Sequence, residues 1–223
     1  MRQHSDSYIP PLRFHFLTRY YDALVRWTTR EKVFKEALLA QLGQAPGASL
    51  LDVGCGTATL SVELALRFPG ASVVGLDADS SALAIARAKA ADAGVRVAFE
   101  QAFADRMPFA AESFDGAVSS LFFHHLKRDA KRVVLAEILR VLKSGGSLHV
   151  ADWGRPANIM LRAAFLLVQA LDGRETTNDS VAGVLPELMS QAGFVGVRHR
   201  RDFATPLGTM ALYSAVKRAS GNS

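Results

Sequence analysis

Residues 49–61 read Ser-Leu-Leu-Asp-Val-Gly-Cys-Gly-Thr-Ala-Thr-Leu-Ser, and this stretch decides the fold. The apolar run from Ser49 to Val53 predicts a buried strand, the two glycines predict a tight turn, and a helix follows. Because glycine lacks a Cβ, a ligand can approach the main chain of the turn closely. A second strand, Ser72 to Leu76, ends at Asp77, where a carboxylate can accept hydrogen bonds from both hydroxyls of a ribose. Turn and acid together indicate a ligand that carries a nucleoside.

Further motifs narrow the kind of nucleoside ligand. A dinucleotide-binding fingerprint would have a third glycine where this chain has Thr59, which disfavours nicotinamide binding. The run Asp-Val-Gly-Cys-Gly-Thr at 52–57, with an acid closing the next strand, resembles the cofactor site of class I S-adenosylmethionine-dependent methyltransferases. More family motifs follow in the right order: Met-Pro-Phe at 107–109 with Ser-Phe-Asp at 113–115, His-His-Leu at 124–126 and Leu-Lys-Ser-Gly-Gly at 142–146. The resemblance is closest to the small-molecule branch, which includes the ubiquinone- and menaquinone-type methyltransferases.

The resemblance implies S-adenosylmethionine as the cofactor and a set of residues that would contact it. In the family pattern, the glycine turn lies against the amino-acid end and the ribose, and the acid after the second strand binds the ribose hydroxyls. Two positions depart from that pattern: the usual third glycine is Ala58, and the acid that receives the adenine amino group is Phe103, with Asp105 the nearest replacement. The cofactor-binding residues implied are Tyr21, Asp52, Gly54, Cys55, Gly56, Asp77, Ala78, Phe103, Ala104, Asp105 and Ser119.

Strands that alternate with helices predict an α/β fold with parallel strands and right-handed crossovers. The resemblance implies a seven-stranded, mostly parallel sheet with helices on both faces and an antiparallel last strand. The aromatic-rich segment Phe14 to Thr29 and the segment Arg30 to Leu42 are predicted helices, which either form a lid or pack onto the domain. Later strands are predicted at 95–99, 114–120, 147–151, 195–201 and 207–216, and later helices at 79–91, 129–142, 157–171 and 180–192.

The 223 residues are long enough to bury a full core and predict a single domain spanning residues 1–223. Its expected parts are a tail with lid helices (1–45), a cofactor-binding core (46–153), a helical insertion (154–192) and a closing strand pair (193–218). The apolar run at 163–168 is too short to span a membrane. The single cysteine, Cys55, excludes a disulfide framework and predicts a cytoplasmic location. The oligomeric state is left open.

Methyl transfer is an in-line displacement on an activated carbon, so the protein mainly positions two substrates and removes a proton. His125, or else His124, is the candidate base that takes a proton from a phenol or an acidic carbon. Both histidines could instead be structural. Phe123, Trp153 and Phe165 are expected either to form an apolar substrate wall or to be ordinary core. No metal is expected.

The leading interpretation is methyl transfer to an oxygen, nitrogen or carbon atom of a small aromatic or apolar metabolite. A nucleic-acid methyltransferase is the first alternative. It is disfavoured because residues 119–121 read Ser-Ser-Leu rather than the Asn/Asp-Pro-Pro-aromatic box, and because a net charge of +5 is modest for this length. A protein that binds the cofactor without transferring a methyl group is the second alternative.

Overall fold

The computed structural model of the chain describes residues 31–43 and 47–220. Tyr21 and the predicted helix from Phe14 to Thr29 lie outside the described residues. The described strands are β1 (Ser49–Val53), β2 (Ser72–Asp77), β3 (Ala98–Gln101), β4 (Phe114–Ser120), β5 (Leu142–Trp153), β6 (Phe194–Thr205) and β7 (Gly208–Lys217).

These strands form one seven-stranded sheet in the order β3-β2-β1-β4-β5-β7-β6. The strands from β3 to β5 are parallel, whereas β7 is antiparallel to β5 on one side and to β6 on the other. The predicted mostly parallel sheet with an antiparallel last strand is therefore confirmed. The strand order reverses beside β1, because the chain first goes to β2 on one side and later to β4 on the other. A crevice for ligands opens at such a reversal, beyond the carboxyl ends of the strands.

Helices cover both faces of the sheet, as predicted. They are α1 (Glu31–Ala40), α2 (Thr59–Arg67), α3 (Ser80–Asp92), α4 (Arg128–Val141), α5 (Ile159–Asp172), α6 (Arg174–Ala182) and α7 (Leu185–Gln191), with a 3-10 turn at Phe123–His125. Successive side chains of a strand point to opposite faces of the sheet, so neighbouring residues of β1 pack in different core clusters. Leu50 packs in a core cluster with α1, α2 and α5, whereas Leu51 and Val53 pack in a second cluster with α4 and α7.

Two strand boundaries differ from the sequence-based expectation. β3 begins at Ala98 rather than at residue 95, because the residues that pair with β2 start there. β5 begins at Leu142 rather than at residue 147, because the buried Leu142 already pairs with Phe114. Gly145 and Gly146 of the Leu-Lys-Ser-Gly-Gly motif lie within this strand, where its pairing with β4 shifts register and Gly145 has a φ of 79°.

The predicted helix from residue 180 to residue 192 is instead two helices, α6 and α7. Gly183 separates them in the left-handed conformation (φ 69°), and Pro186 stands in the first turn of α7. α6 begins earlier than predicted, and its sequence is poor in helix formers. A tertiary contact stabilises it: the buried ammonium of Lys131 on α4 donates to the carboxylate of Asp179 at 3.0 Å.

Candidate functional site

The glycine turn lies at the carboxyl end of β1 and is bound to the end of β2. The amides of Gly54 and Cys55 both donate to the carbonyl oxygen of Leu76, at 2.9 and 3.0 Å. Gly54 and Gly56 have φ values of 70° and 52°, in the left-handed region that favours glycine, and Ala58 adopts the same region with a φ of 60°. The turn therefore has the backbone shape of three glycines, although its third position carries a methyl group.

The two glycines of the turn differ in their surroundings. A Cβ at Gly56 would meet no atom within 4 Å, so its main chain faces open space where a ligand can approach. A Cβ at Gly54 would lie 2.3 Å from Cδ2 of Phe122. The close approach at Gly54 is thus made by the protein's own ring, and Phe122 joins this end of the turn to the residues after β4.

Asp77 at the end of β2 is held by two backbone amides. One carboxylate oxygen accepts a hydrogen bond from the amide of Gly56 at 2.8 Å, and the other accepts one from the amide of Asp79 at 2.9 Å. Burial raises the pKa of Asp77, and these hydrogen bonds partly oppose the rise. A carboxylate offers about four lone-pair sites, so both oxygens retain the capacity to accept bonds from the two hydroxyls of a ribose.

Three further residues implied by the resemblance lie in the buried part of this region. Asp52 is fully buried and accepts a hydrogen bond from the hydroxyl of Ser61 at 2.6 Å, and burial raises its pKa to about 6. Burial also raises the pKa of the Cys55 thiol, which makes it a poor nucleophile. The hydroxyl of Ser119 donates to the carbonyl oxygen of Val53 at 2.9 Å, so any contact of Ser119 with a ligand would come from its backbone.

The residues expected near adenine follow β3. Phe103 and Asp105 are exposed, and Ala104 between them is half-buried. Whether Asp105 receives an adenine amino group stays a prediction. Sequence reasoning did not single out Gln101, whose side-chain amide donates to the carbonyl oxygen of Ala78 at 3.4 Å and so lies beside the residues expected near adenine. The signal for it was its place as the last residue of the strand beside β2.

The two histidines lie in the 3-10 turn after β4, and His124 is held by an acid from the neighbouring strand. Its Nδ1–H donates to Oδ1 of Asp152 at 2.7 Å, and its backbone amide donates to Oδ2 at 3.3 Å. Burial opposes a charge on His124, but Asp152 and Asp172 outweigh it, so the pKa of His124 is raised. Since Nδ1 is engaged, Nε2 is the ring atom left for chemistry, and it lies 3.7 Å from Oδ2 of Asp172.

His125 is half-buried and packs against His124, with the two ring centroids 3.9 Å apart and the ring planes tilted by 42°. Burial, together with the charge of His124, lowers the pKa of His125 well below its ordinary value, so this ring is neutral at physiological pH. Ligand atoms of His124, His125 and Asp172 all lie within 4.8 Å of one another. Because such a set could hold a cation, the absence of a metal from the site stays a prediction.

The aromatic residues expected to line an acceptor are brought close to the histidines. The ring centroid of Trp153 lies 6.4 Å from that of His124 and 5.5 Å from that of Phe165. Phe123 is almost fully buried and contacts Phe122 edge to face. All three expected wall residues are therefore buried core side chains, and Trp153 links Phe165 to His124; a role in lining the acceptor stays a prediction.

Comparisons with known proteins agree with this geometry. The family model described as "Methyltransferase domain" matches residues 50–146. An uncharacterised methyltransferase of Synechocystis is 32% identical over 75% of this chain and 76% of that protein. A ubiquinone/menaquinone biosynthesis C-methyltransferase UbiE of Ectopseudomonas mendocina is 31% identical over 75% of this chain and 68% of that protein.

A solved structure of a SAM-dependent methyltransferase from Methanosarcina mazei shares the fold. Its TM-score is 0.65 at 24% identity, and the match covers 79% of this chain and 95% of that one. The sheet order, the glycine turn with Asp77 and these relatives all indicate the same family. The chain belongs to the class I S-adenosylmethionine-dependent methyltransferases, is similar to the UbiE enzymes, and uses S-adenosylmethionine as its cofactor.

Proposed function

We propose that the chain transfers the methyl group of S-adenosylmethionine to a small aromatic or apolar acceptor bound beside His124 and His125. The observation that carries this proposal is the position of the histidine pair. Phe122, which packs against Gly54 of the cofactor turn, is followed directly by Phe123 and the two histidines. A ligand that lies on the turn therefore has titratable rings and buried aromatic side chains close to its reactive end.

The acceptor's chemistry is inferred from the surroundings of the histidines and from the relatives. Trp153 packs beside His124 and Phe165 packs behind Trp153, so this side of the histidine pair is apolar and aromatic, which suits a small ring better than a phosphate backbone. Several relatives are named as C-methyltransferases of ubiquinone and menaquinone biosynthesis. A carbon of a hydroxylated aromatic ring is therefore the acceptor that we favour, because loss of a hydroxyl proton makes such a carbon nucleophilic.

The proposed mechanism is an in-line displacement that needs little covalent chemistry from the protein. Asp77 and the glycine turn would hold the cofactor, and the aromatic side chains would exclude water and position the acceptor ring. His125 is the half-buried ring of the pair, and its lowered pKa keeps it unprotonated but weakly basic, so it would take the proton of an acidic hydroxyl while the methyl group is transferred. His124, held by Asp152 through Nδ1, is the alternate base; its raised pKa makes it the stronger base of the two, and it would act through Nε2 in the molecules in which that atom carries no proton.

A turnover assay tests this function. The full chain is mixed with S-adenosylmethionine and a panel of reduced hydroxynaphthoquinones, phenols, amines and nucleic acids, and formation of S-adenosylhomocysteine is measured. We expect product with a hydroxylated ring. Product with DNA or RNA alone would overturn the acceptor class, and cofactor binding without product on any acceptor would favour a binding protein.

Single and double alanine variants of the histidines test the base. We expect one of His125→Ala and His124→Ala to lower turnover by roughly 10² to 10⁴, with cofactor affinity within about twofold of the wild type. His199→Ala is the matched control, because this histidine is paired with Asp202 on the edge strand β6. Near-normal turnover in both single variants and in the double variant would refute the base and leave positioning as the mechanism.

A further inference from the structure

Helix α5 carries a concentration of exposed apolar side chains. Ile159 and Met160 at its start are 84% and 78% exposed, and Leu171 near its end is 71% exposed. Leu166 and Leu167 between them are also exposed large hydrophobic residues. Single exposed apolar residues are ordinary on a protein surface, but a contiguous patch marks a contact with something else.

The exposed residues of α5 share one face of the helix. At 100° per residue, they fall within an arc of roughly 140°, and a helix of this length is about 21 Å long. We call this arc the α5 face; its residues are Ile159, Met160, Ala163, Leu166, Leu167, Ala170 and Leu171. All seven are apolar, so the face is the reverse of an ordinary amphipathic helix, which turns its polar side to water.

The opposite side of the same helix lies against the candidate acceptor site. Phe165 is buried and contacts Trp153, and Asp172 at the helix end faces Nε2 of His124. Helix α5 thus separates the proposed acceptor site from the α5 face by the thickness of one helix. An apolar acceptor arriving at the α5 face would need to travel only around this helix to reach the histidines.

We propose that the α5 face binds the surface of a lipid bilayer that contains anionic lipids. The helix would lie in the plane of the interface with its apolar side chains below the headgroups, as amphipathic membrane-surface helices do. The inference rests on the proposed function, because an apolar acceptor concentrates in a bilayer. None of the helices described in residues 31–43 and 47–220 is long and apolar enough to cross a membrane.

The charges around the α5 face fit anionic headgroups. Arg155 precedes the helix and Arg174 follows it, and both side chains are exposed. The nearby acids are engaged elsewhere: Glu175 pairs with Lys127 at 2.9 Å, and Asp172 faces His124. Cations at both ends of the α5 face also argue against a second copy of the chain as its partner. An antiparallel pair of α5 helices would bring the arginines of the two copies together.

Vesicle flotation of the full chain tests the proposal. Vesicles of phosphatidylcholine alone are compared with vesicles that also contain about 30% phosphatidylglycerol. We expect the chain to float with the anionic vesicles and the binding to weaken as salt is raised. The double variant Ile159→Glu/Met160→Glu should lower the partition coefficient at least tenfold. Leu66→Glu is the matched control, because Leu66 is 57% exposed on α2, and it should leave partition within twofold.

Two other occupants predict different results, and either would overturn the proposal. If a second copy covers the face, the wild type does not float, and sedimentation shows a dimer that the double variant abolishes. If another part of this chain covers it, the wild type neither floats nor dimerises, and the double variant lowers the urea midpoint of unfolding. Cofactor binding is measured on the same samples by calorimetry. Failed flotation with intact cofactor binding refutes the membrane contact alone, whereas a wild type that binds no S-adenosylmethionine refutes the proposed function.

Discussion

Replacing Asp152 by asparagine removes the charge that holds His124 while keeping the size of the side chain. In the wild type, Oδ1 of Asp152 accepts from Nδ1 of His124 at 2.7 Å and from the amide of Trp153 at 2.7 Å. Both partners of the ion pair are buried, with side-chain exposures of 3% and 2%. The asparagine oxygen could accept both of these hydrogen bonds, but its NH2 group would then face the amide of His124, which donates to Oδ2 in the wild type, and the neutral side chain could not balance a positive charge on the ring.

The expected loss in the free energy of unfolding of Asp152→Asn follows from the usual contribution of a hydrogen bond to a charged group, about 1.5 to 3 kcal/mol. Its pH dependence follows from the directions of the two pKa shifts. The raised pKa of His124 contributes stability that is fully present below about pH 6.5 and is lost as the pH rises through the folded-state value. The lowered pKa of Asp152 contributes stability that is present above about pH 3.9 and is lost in stronger acid.

Urea denaturation of the wild type and Asp152→Asn at several pH values measures this difference. We expect the wild type to be more stable by the largest amount between about pH 4 and pH 6.5, with a smaller gap at higher pH as His124 loses its charge. Asp202→Asn is the matched control, because this acid pairs with His199 where both side chains are partly exposed. A gap that stays constant from pH 5 to pH 9 would show that no charged pair forms, and would refute the reasoning.

Three further substitutions probe other parts of the site and its support, each by urea denaturation. Gly54→Ala should destabilise the fold by more than about 1 kcal/mol, because its Cβ would clash with Phe122 at a left-handed backbone position; wild-type stability would contradict this. Lys131→Met should cost about 1.5 to 3 kcal/mol, because it removes one of the two cations that pair with Asp179 and leaves only Arg128; a neutral result would show the Lys131 pair to be dispensable. Asp52→Asn should stabilise the fold above pH 6 by up to roughly 3 kcal/mol, because its folded-state pKa of about 6 means that ionisation opposes folding; a loss of stability there would refute it.

The features that sequence reasoning predicted well are local ones. The strand, the glycine turn and the acid at Asp77 depend on residues that are near one another in the chain, and the structure brings them together at one sheet edge. The positive φ of Ala58 shows why the departure from a third glycine is tolerated: the family's backbone shape is kept, and the strain is carried by one alanine. The helices and strands of the core followed from apolar periodicity in the same way.

The features that sequence reasoning missed depend on contacts between residues that are far apart in the chain. Asp152 binds His124 across 28 positions of sequence, and nothing local at either residue indicates the pairing. The packing of Phe122 against Gly54 likewise requires β1 and β4 to be adjacent. The break at Gly183 did carry a local signal, since a glycine followed by a proline three residues later commonly separates two helices.

The most direct test of the cofactor site is calorimetric titration of S-adenosylmethionine into the wild type and Asp77→Ala. A carboxylate that binds both ribose hydroxyls contributes about 1.5 to 3 kcal/mol, so affinity should fall roughly tenfold to a hundredfold in the variant. Asp92→Ala, at an exposed acid in the last turn of α3, should bind as the wild type does. The account predicts saturable binding to the wild type and this loss in Asp77→Ala alone, and an unchanged affinity in Asp77→Ala would contradict it.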